Sequence, residues 1–194
     1  SLFSPPKRSK EFTNKFVYTI FSNGDLGVDC TLARENENLP YLPRYGFLLN
    51  PNENLFDKVE WEGCGPNENY SDYEEAAKVG TYSKDIKDMF YEYVSPQENG
   101  ERCGVSHLSL FGKNGEKLSV YANGDFFSFK VNDFIGKDLL TARHITDLKR
   151  GETLELAIDG YFSGVGSNSC GPELPEDKRI TDKVLQFGVH FRFE

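Results

Sequence analysis

The segment Leu185-Gln186-Phe187-Gly188-Val189-His190-Phe191-Arg192-Phe193 places an apolar side chain at every second position. A period of two puts the leucine, the valine and the phenylalanines on one face of an extended chain. Gln186, Gly188, His190 and Arg192 fall on the other face, as in a half-buried strand. The period recurs upstream. Leu154, Leu156 and Ile158 alternate with Glu155, Ala157 and Asp159, and Phe127, Phe129 and Val131 repeat the pattern, as do Leu118, Val120 and Ala122. Asn23-Gly24-Asp25 separates extended segments at 15–22 and 26–33 and reads as a hairpin turn needing positive φ; a second hairpin is expected across 112–115. Helical signals are few. Residues 71–79 predict a turn or two, opened by Ser71 or Asp72 with Glu74 and Glu75 in the first turn, and a short helix is expected around 133–142. Regular strands joined by Gly, Asn and Pro turns predict an all-β antiparallel sandwich. Strands do not alternate with long helices, which excludes a TIM barrel and a dinucleotide-binding fold within this chain.

A length of 194 residues suits one domain, expected over 14–194, preceded by an arm at 1–13. The arm contains SPPKRSKE (4–11), a linker-like composition. The chain opens SLFSPPKRSK with no initiator Met and no signal peptide, so an excised or processed piece is expected. Acidic residues outnumber basic ones by 31 to 22, for a net charge of -9. That balance opposes a nucleic-acid backbone or an anionic membrane as partner. No run is apolar enough to span a bilayer. Cys30, Cys64, Cys103 and Cys170 are irregularly spaced, which predicts free thiols in a reducing compartment.

Candidate chemistry concentrates in two segments, WEGCGPNENYSD (61–72) and SPQENG (95–100). Each reads as a Gly/Pro turn presenting a carboxylate, a carboxamide and a nearby ring, the groups that grip a sugar. Glu68, Asp72 and Glu98 are the carboxylates. A glycosidase would need two of them roughly 5 to 9 Å apart, one as acid and one as nucleophile or base. The other reading is that they accept backbone N–H bonds and brace the loops. Trp61, Tyr70, Tyr91 and Tyr93 are the stacking candidates, whereas Phe187, Phe191 and Phe193 belong to a core. Cys103 and His107 lie in one expected strand, CGVSHLSL, about 13 Å apart and too far to share a tetrahedral ion. His144, in TARHITDL, reads as a hydrogen-bonded buried histidine ahead of a catalytic one. There is no G-x-S-x-G elbow. GVGSNSCGP (164–172) lacks the full G-x-G-x-x-G of a phosphate cradle and reads as an exposed loop after the strand at 154–161.

Taken in order, five segments resemble one family. They are LPYLPRYG (39–46), GCGPNENYSD (63–72), YVSPQENG (93–100), His144 with Asp147-Leu148, and GVGSNSCGP (164–172). Together they are similar to the C-terminal domain, or small chain, of the β-galactosidases of glycoside hydrolase family 2. Two positions depart: Tyr73 replaces the arginine that usually follows the aspartate, and Glu92 stands where proline is expected before Tyr93. Losing that arginine removes a bidentate carboxylate partner.

The resemblance implies an all-β supersandwich of the galactose-mutarotase-like type, lacking its N-terminal portion and so leaving sandwich edges unpaired. It also implies that no catalytic residue and no metal ligand belongs to this chain. Both catalytic carboxylates and the site for Mg, with Na as an option, would sit in a barrel elsewhere in the parent. Asn168, Ser169, Cys170 and Gly171 would form a wall of the substrate pocket, with Cys170 where some relatives carry an aromatic ring. Glu68, Asn69, Tyr70, Asp72, Gln97, Glu98, Asn99 and His144 would brace the loops. Implied partners are the barrel-containing domains or large subunit, β-galactosides, and further copies in a homo-oligomer. The implied location is cytoplasmic, or periplasmic if the parent carries a signal peptide. A free-standing galactoside-binding module and a mutarotase are the alternatives.

Overall fold

The computed structural model describes residues 11–52, 55–166 and 171–194. Its strands are β1 Phe12–Ile20, β2 Leu26–Arg34, β3 Arg44–Leu49, β4 Phe56–Gly65, β5 Lys78–Asp85, β6 Arg102–Val105, β7 His107–Gly112, β8 Lys117–Ala122, β9 Phe127–Asn132, β10 Glu155–Phe162 and β11 Val184–Phe193. They form a seven-stranded sheet in the order β1-β2-β11-β8-β7-β4-β5 and a four-stranded sheet in the order β3-β10-β9-β6. Every strand pairing within these sheets is antiparallel. The fold is therefore the all-β antiparallel sandwich that the period-two segments predict.

The alternating side chains of the two sheets meet in one core. Val28, Cys30, Val59, Trp61, Leu108, Leu110, Val120, Leu185 and Val189 come from the larger sheet, and Val105, Phe127, Phe129, Val131, Leu156 and Ile158 from the smaller. Trp61 packs on Phe129 with ring centroids 5.7 Å apart, and Phe187 lies 5.1 Å from Phe47. Each such side chain contributes about 1.5–3 kcal/mol on burial, against at most about 1 kcal/mol for an exposed ion pair. Packing between the layers therefore holds the sandwich. The β1–β2 turn has Gly24 at φ 89, and the carboxylate of Asp25 accepts from His190 at 2.7 Å and Arg192 at 2.9 Å, which ties the turn to β11. Those partners hold Asp25 well below the usual carboxylate range, Arg192 first and His190 second.

Several local expectations change. Residues 61–65 belong to β4 and not to a turn, which begins only at the cis Gly65-Pro66 bond. A β-carbon on Gly63 would lie 2.7 Å from the Val105 side chain, so this strand needs a glycine where β6 crosses it. The strand expected through Cys103 and His107 is two strands in different sheets, β6 and β7, broken at Ser106. His107 consequently faces outward, stacked on Tyr121 at 4.5 Å. Residues 71–77 form turns and not helix, and β5 follows; residues Gly136–Leu140 make a 3-10 turn where a short helix is expected. β1 takes in Phe12 and Thr13, which the sequence reading assigns to the arm.

The loops at 89–101 and 133–154 reach the polar side chains of the smaller sheet, Glu98 accepting from Lys130 and the Gly136 N–H donating to Glu155. Phe90, Phe134 and Leu148 form a second apolar cluster among these loops. These contacts bury polar side chains of β9 and β10 as well as the apolar ones, and they create the site.

Candidate functional site

The two sugar-like turns interlock through their own polar groups. Glu68 accepts from the Tyr93 hydroxyl through one oxygen and from the Gly100 N–H at 2.8 Å through the other. Asn69 is buried; its Oδ1 accepts from the Cys103 N–H at 2.8 Å and its Nδ2 donates to the Asn67 carbonyl at 3.0 Å. Asn99 clamps Tyr91, accepting from its N–H at 2.9 Å and donating to its carbonyl at 3.0 Å, and Asn99 Nδ2 also donates to the carbonyl of Gln97. Arg102, buried beneath, donates to the carbonyls of Pro66, Gly100 and Glu101. Burial holds its guanidinium down to about 10, with Glu68 the largest opposing influence. These are the bonds that Gly- and Asn-rich turns need once they are taken out of water.

Asp72 reaches across to a different loop. It accepts from the Val165 N–H at 3.2 Å and the Gly166 N–H at 2.8 Å. It therefore seats the first residues of the 164–172 segment against the E-N-Y turn.

The result is a cleft of about 770 Å³ bordered by Arg44, Glu68, Tyr73, Tyr93, Glu98 and the 164–166 backbone. Arg44 and Glu98 also border a neighbouring cleft that contains Lys130 and Asp159, so these two side chains form the ridge between them. Arg44 makes a two-pronged ion pair with Asp159 and lies 3.6 Å from Glu98, 3.5 Å from Glu101 and 5.0 Å from the Phe162 ring centroid. Lys130 is buried and donates to both oxygens of Glu98, at 2.7 Å for Oε2. Glu101 is 0% exposed, and neither of its oxygens has a hydrogen-bond partner among the described residues. Burial pushes its pKa up to about 8, Asp159 adding to the rise while Arg44 and Lys130 oppose it. Asp159 is likewise raised, first by burial. Three carboxylates and two cations share this cluster, and holding Glu101 as the neutral acid balances them.

Each of the three candidate catalytic carboxylates is thus engaged: Glu68 by Tyr93 and Gly100, Asp72 by the 164–166 backbone, Glu98 by Lys130 and Arg44. The structure gathers Glu68, Tyr70, Gln97 and Glu98 around one cleft, with Asn69, Asp72 and Asn99 directly behind it. Gly171 is exposed, while Asn168, Ser169 and Cys170 lie outside the described residues. His144 lies elsewhere. Its side chain is 77% exposed, which corrects the expectation of a buried histidine. The H-x-x-D-L segment is a 3-10 turn in which Asp147 accepts from the Arg143 and His144 N–H groups and Leu148 enters the second apolar cluster. The ordering residues there are the aspartate and the leucine.

The aromatics also redistribute. Trp61 is 1% exposed, a core residue whose Nε1 donates to the Cys64 carbonyl, so it presents no stacking face. Tyr70 is buried too, whereas Tyr91 and Tyr93 reach the surface. Sequence reasoning noted Tyr73 only as a departure from the family pattern, and it missed Arg44, Glu101, Lys130 and Asp159 as site residues. Arg44 had a signal in L-P-x-L-P-R-x-G, and Glu101 follows directly on the Q-E-N-G turn. Lys130 and Asp159 carry none. Among the described residues, Cys30, Cys64 and Cys103 are free thiols and no group of three or more His, Cys, Asp or Glu side chains could hold a metal ion. Among the described residues, no helix is long and apolar enough to cross a membrane.

An antiparallel sandwich whose capping loops wall a polar, tyrosine-edged cleft defines a cleft-forming β domain. The chain belongs to the β-galactosidase small-chain family, whose description matches residues 3–193. It is similar to the β-galactosidase of Actinobacillus pleuropneumoniae, at 36% identity over 186 residues and 95% of this chain. It is also similar to those of Kluyveromyces lactis, at 34% over 91% of the chain, and Oenococcus oeni, at 35% over 93%. The chain spans about 17% of the length of these relatives.

Proposed function

We propose that this chain is the C-terminal domain of a β-galactosidase that hydrolyses terminal non-reducing β-D-galactosides, and that it supplies part of the substrate-pocket wall without the catalytic carboxylates. The observation that supports this reading is the placement of Asp72. Its hydrogen bonds to Val165 and Gly166 hold the 164–166 backbone at the edge of the same cleft as Glu68, Tyr73 and Tyr93, where the chain enters the segment read as the pocket wall. A carboxylate already committed to two donors is a poor proton shuttle and a good brace. In this reading the catalytic pair and any Mg or Na belong to the barrel-bearing part of the parent. The parent works in the cytoplasm and assembles as a homo-oligomer.

The test is hydrolysis of a chromogenic β-galactoside by the chain alone and by the assembled parent enzyme. No turnover by the chain and turnover by the assembly are expected. Turnover by the chain alone that disappears with Glu68→Gln or Glu98→Gln would overturn the reading. A galactoside-binding module remains the second reading, supported by the exposed Tyr73 and half-buried Tyr93 at the cleft; it predicts saturable galactose binding with no parent enzyme to join.

A further inference from the structure

A second pocket, of about 310 Å³, opens on the far side of Glu68, Tyr73 and Tyr93, which border both it and the main cleft. Met89 and Phe90, both buried, give it an apolar floor. Tyr91 stands at its rim, 62% exposed, with its ring 4.6 Å from that of Tyr93. Asn99 pins the Tyr91 backbone on both its N–H and its carbonyl, so the ring is presented on a fixed support. Tyr73, 63% exposed, presents another ring from a second ridge, which it forms with Tyr93 between this pocket and the main cleft. Asn67, Lys84 and Asp88 supply donors and acceptors within the same pocket. Lys84 makes no ion pair among the described residues, and burial together with neighbouring Arg102 lowers its pKa. The cations Lys84 and Arg102 are matched by Glu68 and Asp88, so the pocket has no dominant sign of charge.

An apolar floor, exposed rings and dispersed polar groups of both signs suit a neutral polyol: ring carbons against tyrosine, hydroxyls against amide, ammonium and carboxylate. We propose that this pocket is a separate saccharide subsite, so that the domain takes a neutral chain of at least two sugar units laid across the Tyr73–Tyr93 ridge. The proposal rests on reading the main cleft as a sugar-pocket wall, and it adds the length of the ligand.

The experiment is calorimetric titration of the 194-residue chain with galactose, lactose and a linear β-galactosyl trisaccharide. Affinity is expected to rise about tenfold from the monosaccharide to the longer ligands, the effect of one added stacked ring. Tyr91→Ala should abolish that rise and Tyr91→Phe should keep it, with buried-type Trp61 emission confirming the fold of each variant. Equal affinities across the series, a rise that survives Tyr91→Ala, preference for an acidic oligosaccharide, or no saturable binding would each overturn the subsite. The parent-enzyme reading is scored separately, by hydrolysis of a simple aryl β-galactoside in the assembled enzyme.

Discussion

Asp72 and Gly164 approach so closely that a β-carbon on the glycine would lie 2.2 Å from Asp72 Oδ1. The glycine also sits at φ 102, where an L side chain is strained regardless of space. Tight packing and backbone geometry thus impose the same residue at the start of the 164–172 segment.

Substituting Gly164→Ala should therefore push the loop off Asp72. The expected cost is about 1–3 kcal/mol of stability, measured by urea unfolding. Asp72→Ala leaves the Val165 and Gly166 N–H groups unpaired but introduces no clash. Its stability loss should be smaller, about 1–2 kcal/mol, while the assembled enzyme shows a raised KM for galactosides.

Glu101 gives a pH dependence of definite sign. Its ordinary value is 4.5, and in the folded protein it is pushed up to about 8. Between those values the folded state holds a proton that the unfolded chain gives up. Stability contributed by this group should be full below about 4.5 and fall as pH rises toward 8. Glu101→Gln should flatten that slope and leave the protein more stable than the parent above pH 8. Urea midpoints across the window check this, and an unchanged slope in the variant contradicts it.

Arg44→Lys keeps the charge but loses the two-pronged contact with Asp159 and the guanidinium face over Phe162. The expected destabilisation is about 1–3 kcal/mol. Adding Asp159→Asn should cost less in the lysine background than in the parent, because the two residues act as a pair. Full additivity in a double-mutant cycle would show that they do not.

Trp61 is enclosed by Phe129 and Tyr82 and lies under Arg102. Its emission should be that of a buried indole, unchanged by added sugar and shifted to longer wavelength only on unfolding. Trp61→Ala should cost about 3–5 kcal/mol.

The strands β8, β9, β10 and β11 were legible because a half-buried strand writes its two faces as alternating side chains, and β1 and β2 because Asn23-Gly24-Asp25 marks the hairpin between them. β4 was not. Gly63 and Gly65 carry no side chain to show the alternation, and glycine there answers to the crossing Val105 and to Tyr82. The change of sheet between Cys103 and His107 is equally silent, since one residue, Ser106, makes the break. Of the site, the motif turns were visible as clusters of Glu, Asn, Gly and Pro. Their partners Lys130 and Asp159 looked like the polar positions of ordinary alternating strands, and only the loops that reach the smaller sheet bury them. Trp61 looked exposed because it borders a polar segment, yet it falls on the inner face of β4.

Under the proposed function, the carboxylates of this chain brace a pocket wall and do not break the glycosidic bond. The most direct measurement compares aryl β-galactoside turnover by the assembled enzyme with Glu68→Gln, Glu98→Gln and Asp72→Ala in place. Neutralising Glu68 or Glu98 should leave kcat within about tenfold of the parent, whereas removing a true catalytic carboxylate costs many orders of magnitude. A collapse of kcat in either variant, with the fold intact, would contradict the account.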